Sequence, residues 1–101
     1  MTKIDFFTPL KTGFTIYSKS NCSYCIKVKK ILVDKQISFL DINCDEYLVK
    51  NKEEFLLFIK EQANKDYKTF PIVFKDGKFI GGFTETQNHF DKFLCFDSCN
   101  F

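Results

Sequence analysis

Apolar residues along this chain fall into blocks with two different periods. Gly13 precedes Phe14-Thr15-Ile16-Tyr17, a β-prone run that predicts a first strand. From Ser23 the apolar positions Ile26, Val28, Ile31 and Leu32 fit one helical stripe ending near Lys35, with Lys27, Lys29, Lys30 and Asp34 on the solvent side. Residues Ile37 to Ile42 predict a second strand anchored by Phe39, and Asn43 to Tyr47 predict a loop. Glu53 to Ala63 predicts a helix, since Phe55, Leu56, Phe58 and Ile59 interleave with Glu54, Lys60 and Glu61. Glu53 and Glu54 lie near its start, where the macrodipole favours negative charge. Ile72-Val73-Phe74 and Lys78-Phe79-Ile80 flank Asp76-Gly77, a two-residue hairpin signature. Gly81-Gly82 breaks the return strand, and Thr84 reads as the N-cap of a last helix through Phe93, with Phe90 and Phe93 inward. Residues 1–12 form a lead-in interrupted by Pro9.

The predicted order is strand, helix, strand, helix, strand, strand, helix. It implies an α/β chain with a four-stranded mixed sheet flanked by helices. The length of 101 residues fits one small domain over residues 1–101, with a core over about 13–94 and a short cysteine-containing tail. Hydrophobic residues make up 45% and aromatics 18%, which excludes a disordered chain. A net charge of +2 gives no footprint for nucleic acid or an anionic membrane. All 15 basic residues are lysine, so no bidentate guanidinium clamp exists. The first ten residues lack a signal-peptide h-region, and no apolar run approaches the roughly 20 residues of a membrane span. The expectation is a cytoplasmic monomer.

The candidate chemistry lies at Cys22-Ser23-Tyr24-Cys25, between the first strand and the first helix. Two cysteines at this spacing can exchange a disulfide within one helical turn, and a CxxC at a strand-to-helix junction marks thiol–disulfide chemistry. A helix start presents unsatisfied N–H groups and the positive end of the dipole, both of which stabilise a thiolate. The thiolate is the nucleophile. Five cysteines, an odd number, do not suit a disulfide scaffold in a reducing compartment.

Three separated motifs make the chain resemble the glutaredoxins, a branch of the thioredoxin superfamily. They are Cys-x-Tyr-Cys with Lys19 upstream, Thr69-Phe70-Pro71, and Gly81-Gly82 followed by Phe83-Thr84-Glu85. Tyr24 separates it from thioredoxins, which carry Gly-Pro between the cysteines. The resemblance implies a thioredoxin-like fold and a glutathione-dependent disulfide oxidoreductase acting on disulfide-containing or glutathionylated proteins. Cys22 is then an exposed nucleophile with a pKa below the usual value of about 8.5, and Cys25 the more buried resolving thiol. Lys19 would stabilise the thiolate or bind a glutathione carboxylate, and Tyr24 would flank the bound tripeptide. A cis Pro71 would expose the N–H and C=O of Phe70 for strand-like pairing with glutathione, beside Thr69. Gly82, Phe83, Thr84 and Glu85 would hold the γ-glutamyl end at a helix start, which favours anions.

Competing readings use the same cysteines. A [2Fe–2S] cluster bridged between two subunits is compatible with Ser23 in the family. A thioredoxin-like protein served by a reductase is the nearest redox alternative. A zinc site from Cys22, Cys25, Cys95 and Cys99 would supply four thiolates. The pair Cys95 and Cys99 also reads as a second disulfide or as unpaired tail cysteines, Cys44 as structural, and His89 as a surface helix residue.

Overall fold

The computed structural model describes the backbone of residues 6–98 and the side chains of residues 6–90. The elements are β1 (Phe14–Ser18), α1 (Ser23–Asp34), β2 (Phe39–Asn43), α2 (Asp45–Lys50), α3 (Lys52–Ala63), β3 (Ile72–Lys75), β4 (Lys78–Gly81) and α4 (Phe83–Ser98). The strands form one sheet in the order β2-β1-β3-β4. β1 runs parallel to β2 and antiparallel to β3, and β3 runs antiparallel to β4. This is the mixed sheet that the pattern predicted.

Alternation along the central strands splits the core between the two sheet faces. Phe14 and Ile16 of β1 and Val73 of β3 pack with Val28 and Leu32 of α1. Tyr17 of β1 and Ile72 and Phe74 of β3 pack with Phe55 and Ile59 of α3. The second face is rich in aromatic edges. The Phe6 ring meets Tyr47 at 4.8 Å and Phe55 at 5.6 Å between centroids, and Tyr17 meets Phe74 at 5.7 Å.

Local chemistry sets the element ends. α1 stops where Gln36 adopts φ 60°. There the Ile37 N–H donates to Leu32 O at 2.8 Å and the Gln36 N–H to Val33 O at 2.9 Å, the two bonds of a Schellman motif. Ile37 also packs on the cluster that holds Leu32, the apolar contact that accompanies this cap. The β3–β4 turn has φ 54° at Asp76 and φ 79° at Gly77, the left-handed pair of a tight hairpin.

Four expectations need correction. Residues 45–50 form a helix, α2, which begins inside the Asn43–Tyr47 segment read as a loop and runs past it. Asp45 and Glu46 occupy its first turn, where the dipole favours them. Ile26 is 64% exposed, because the buried stripe of α1 runs through Cys25, Val28 and Leu32, one residue out of phase with it. The last helix continues to Ser98 and begins at Phe83, so Thr84 lies inside its first turn and is not the N-cap. The second strand starts two residues later than predicted, at Phe39.

Candidate active site

The β1 strand ends at Ser18, and three residues of loop lead to Cys22, the N-cap of α1. Cys22 has extended backbone angles, and its Sγ accepts the Cys25 N–H at 3.2 Å. A sulfur therefore takes the place usually held by a capping oxygen. Cys22 and Cys25 are joined as a disulfide, with Cα atoms 5.3 Å apart. Cys22 is 8% exposed and Cys25 1%. The predicted ranking holds, but Cys22 is far less open than expected, because Phe70 and the core beneath it close around the pair.

The loop ahead of Cys22 is tethered to α2. Both the N–H and the hydroxyl of Ser20 bond the Asp45 carboxylate, the former at 2.8 Å. These bonds hold the Asp45 carboxyl below its ordinary pKa, with the Lys19 charge as a smaller contribution. Behind the loop, Cys44 donates its N–H to Ser18 O at 2.8 Å. Its thiol is fully buried, and burial, reinforced by Asp41 and Asp45, pushes its pKa up to about 12. Cys44 is thus a core residue, as its position after the second strand suggested.

Beside the disulfide lies a cleft of about 250 Å³ lined by Tyr24, Tyr67, Thr69, Phe70, Gly82, Phe83, Thr84 and Glu85. Three chain segments supply it. Tyr24 comes from the first turn of α1, and its ring stacks on Phe83 of α4 at 5.3 Å and 23°. Thr69 and Phe70 come from the segment before β3, where the Phe70–Pro71 bond is cis. The β1–β3 ladder ends at Tyr17 opposite Ile72, so Phe70 lies beyond the last paired residue. Its ring turns into the core and lies parallel to Phe55, 6.2 Å away.

The third segment is the start of α4. The Gly82 N–H donates to Glu85 Oε1 at 2.8 Å, and the Thr86 N–H to Gly82 O at 2.9 Å. Gly82 is therefore the N-cap, and Glu85 reaches back as in the carboxylate half of a capping box. Gly82 has no room for a side chain. A Cβ there would lie 2.5 Å from the Tyr67 hydroxyl and 3.3 Å from Pro71 O. The N–H groups of Phe83 and Thr84, in the first turn, lack intrahelical acceptors and suit an anion.

Most of the residues predicted to bind come together here: Tyr24, Thr69, Phe70, Gly82, Phe83, Thr84 and Glu85. Cys22, Cys25, Lys19 and Pro71 are not on the cleft wall. Pro71 is fully buried beneath it, and the Lys19 ammonium lies 5.6 Å from the Phe70 ring centroid. Tyr67 was missed by sequence reasoning. Its ring is held edge-on by Phe79 at 4.8 Å, and burial plus the Glu85 charge raises its pKa. The sequence marked it only as an aromatic in a polar turn. His89 is exposed and stands edge-on to Phe14, away from the cleft wall.

A glutaredoxin family model matches residues 14–80. The chain belongs to the glutaredoxin family. It is 32% identical over 84 residues to glutaredoxin 1 of Rickettsia conorii, covering 78% of each chain. It is 34% identical over 73 residues to the glutaredoxin-like protein NrdH of Lactococcus lactis subsp. cremoris, covering 72% of this chain and 90% of that one. Among solved structures, glutaredoxin 1 of Francisella tularensis complexed with cacodylate superposes with a TM-score of 0.70 at 29% identity, over 80% of this chain and 94% of that one. The buckwheat glutaredoxin–glutathione complex superposes with a TM-score of 0.64 at 26% identity, over 79% and 70%. The fold of this glutaredoxin is thus thioredoxin-like, and its class of chemistry is thiol–disulfide oxidoreduction.

Among the described residues, no group of three or more His, Cys, Asp or Glu side chains is placed to hold a metal ion. The zinc reading also needs the Cys95 side chain and Cys99, which lie outside the described residues, as does the proposed Cys95–Cys99 pair.

Proposed function

We propose that this glutaredoxin uses glutathione as its reductant and acts on protein disulfides and glutathione mixed disulfides. The observation that carries this reading is the cleft beside the cysteine pair, walled by Tyr24, Thr69, Phe70, Phe83 and Thr84. It offers what a γ-glutamyl tripeptide needs. Tyr24 and Phe83 form an apolar flank. Phe70 offers an unladdered backbone for strand-like pairing. The first turn of α4 offers N–H donors for a carboxylate. The buckwheat relative complexed with glutathione supports the same occupant. Thr69 contributes a hydroxyl at the cleft edge. Glu85 remains close enough to attract the substrate's ammonium while holding the Gly82 N–H.

The chemistry follows from the cap. In the reduced protein the Cys22 thiolate inherits the N–H of Cys25 and the dipole of α1, with the Lys19 ammonium nearby. It attacks the glutathione sulfur of a protein–glutathione mixed disulfide. A bond forms between Cys22 and that sulfur, the old S–S bond breaks, and the released protein thiolate takes a proton. A second glutathione thiolate then attacks the Cys22-bound glutathione sulfur, which gives glutathione disulfide and regenerates the Cys22 thiolate. With a protein disulfide, Cys22 first becomes joined to the protein. Cys25 then attacks Cys22, releases the reduced protein and leaves the Cys22–Cys25 disulfide. Two glutathione molecules reduce that disulfide and leave as glutathione disulfide.

The test is a coupled assay with glutathione, glutathione reductase and a glutathionylated peptide. Cys22→Ser should lose about 1,000-fold or more, because it removes the nucleophile. Cys25→Ser should keep turnover of the mixed disulfide but lose reduction of protein disulfides. Recycling only by a thioredoxin reductase would reject the reading.

A further inference from the structure

Lys27 stands one helical turn beyond Tyr24 on the same face of α1. Its ammonium lies 5.2 Å from the Tyr24 ring centroid and 5.8 Å from that of Phe83. The two rings are stacked on each other, so one cation serves both faces at the rim of the cleft. Among the described residues Lys27 forms no ion pair, whereas Lys29 is paired with Asp41 and Lys30 with Asp34. Glu85 accepts the Gly82 N–H and Asp45 the Ser20 N–H, so both carboxylates are held toward backbone donors. Tyr24, one turn back on that face, is 52% exposed. The result is a rim that is apolar and cationic, held rigid by ring stacking, one turn along α1 from the disulfide.

We propose that the surface formed by Tyr24 and Lys27 docks the polypeptide side of a substrate, and that it selects segments with an acidic side chain near the reacting cysteine. The proposal rests on the glutathione-dependent reading, in which glutathione fills the cleft and the protein part of the mixed disulfide must lie outside it. The apolar part of that segment covers the outer face of Tyr24. Its carboxylate meets the Lys27 ammonium, which forms no ion pair among the described residues. Lys19, on the other side of Cys22, lies in the field of Asp45.

The test uses two synthetic peptides with a single glutathionylated cysteine, flanked in one by aspartates and in the other by lysines. The ratio of their kcat/KM values should favour the acidic peptide by about fivefold or more at low salt, the size of an exposed charge pair with its like-charge counterpart, and should shrink in high salt. Lys27→Gln should bring the ratio toward one, and Lys27→Glu should invert it. Lys30→Glu makes the same change in net charge on the same helix and should leave the ratio as it is. An unchanged ratio in Lys27→Glu, or an equal shift in Lys30→Glu, overturns the proposal. A rise in KM for glutathione that is the same with both peptides also overturns it, because the ammonium would then serve glutathione itself. If wild type turns over neither peptide with glutathione, the glutathione reading fails. The docking proposal is then decided by titrating the protein with the same peptides carrying a thioether in place of the disulfide, where the acidic one must bind more tightly and lose that advantage in Lys27→Glu.

Discussion

The backbone N–H of Cys25 donates to the Sγ of Cys22, so the first cysteine caps the helix that carries the second. On reduction this donor faces a sulfur able to hold negative charge. Cys22 should then react with iodoacetamide at neutral pH at least about tenfold faster than an ordinary thiol, with a rate that rises at a pH below the usual value of about 8.5. Mass-spectrometric mapping of alkylation against pH checks this. Equal rates at Cys22 and Cys25 would remove the capping argument.

Cys44 should show the opposite behaviour. Its thiol is buried, and its pKa is pushed up to about 12 from 9.0. In the native protein at pH 8 it should stay unmodified while Cys22 reacts, and it should react at once in urea. The sign for stability follows from the raised native pKa. The contribution of the neutral thiol is complete below pH 9.0 and is lost as pH rises toward 12.

Gly82→Ala should damage the cleft through Tyr67. The added Cβ would lie 2.5 Å from the Tyr67 hydroxyl and 3.3 Å from the Pro71 carbonyl oxygen. The tyrosine must swing away, and the backbone contact must give. The expected cost is about 1–3 kcal/mol of stability, with a higher KM for glutathione. Tyr67→Ala in the same chain should recover part of the stability. A purely additive double variant would show that the two residues are independent.

Glu85→Ala should lower stability by about 0.5–2 kcal/mol, the range for a lost helix cap, and Glu85→Gln should cost less because its side-chain oxygen can still accept the Gly82 N–H. Urea denaturation of the three proteins tests the order.

Asp45 supplies a pH test on the other side of the cysteines. Its native pKa lies below 3.8 because of its bonds to Ser20. The advantage of wild type over Asp45→Asn should be present above the unfolded value and fade as pH falls through the lower native one. Denaturant midpoints measured at successive pH values between neutrality and strong acid would reveal the trend.

The sheet and its long helices were legible because alternation and the 3.6-residue period are carried by many residues at once. The Asp76-Gly77 turn was legible because both residues must take positive φ. Other features depended on a choice between neighbours. Ile26 and Cys25 are adjacent, and only packing decides which one faces the core. α2 has six residues, too few to display a period. Thr84 has the better capping side chain, yet Gly82 takes the cap because Glu85 folds back on it and Tyr67 closes over it. Tyr67 lies in a segment without periodicity, where nothing in the spacing foretold its place in the wall of the cleft.

The parallel pairing of β1 with β2 aligns Ser18 with Asn43. The strand that feeds the cysteines therefore ends level with the strand that feeds α2, and Ser20 and Asp45 join the two exits. A residue inserted into the exit at 19–21 would put that joint out of step while leaving the hydrophobic core intact. Such an insertion should yield a protein that melts near the wild-type temperature but turns over poorly. Length polymorphism in homologous chains should accordingly collect at the tail or in the residue 64–68 turn, and spare residues 19–21 and 44.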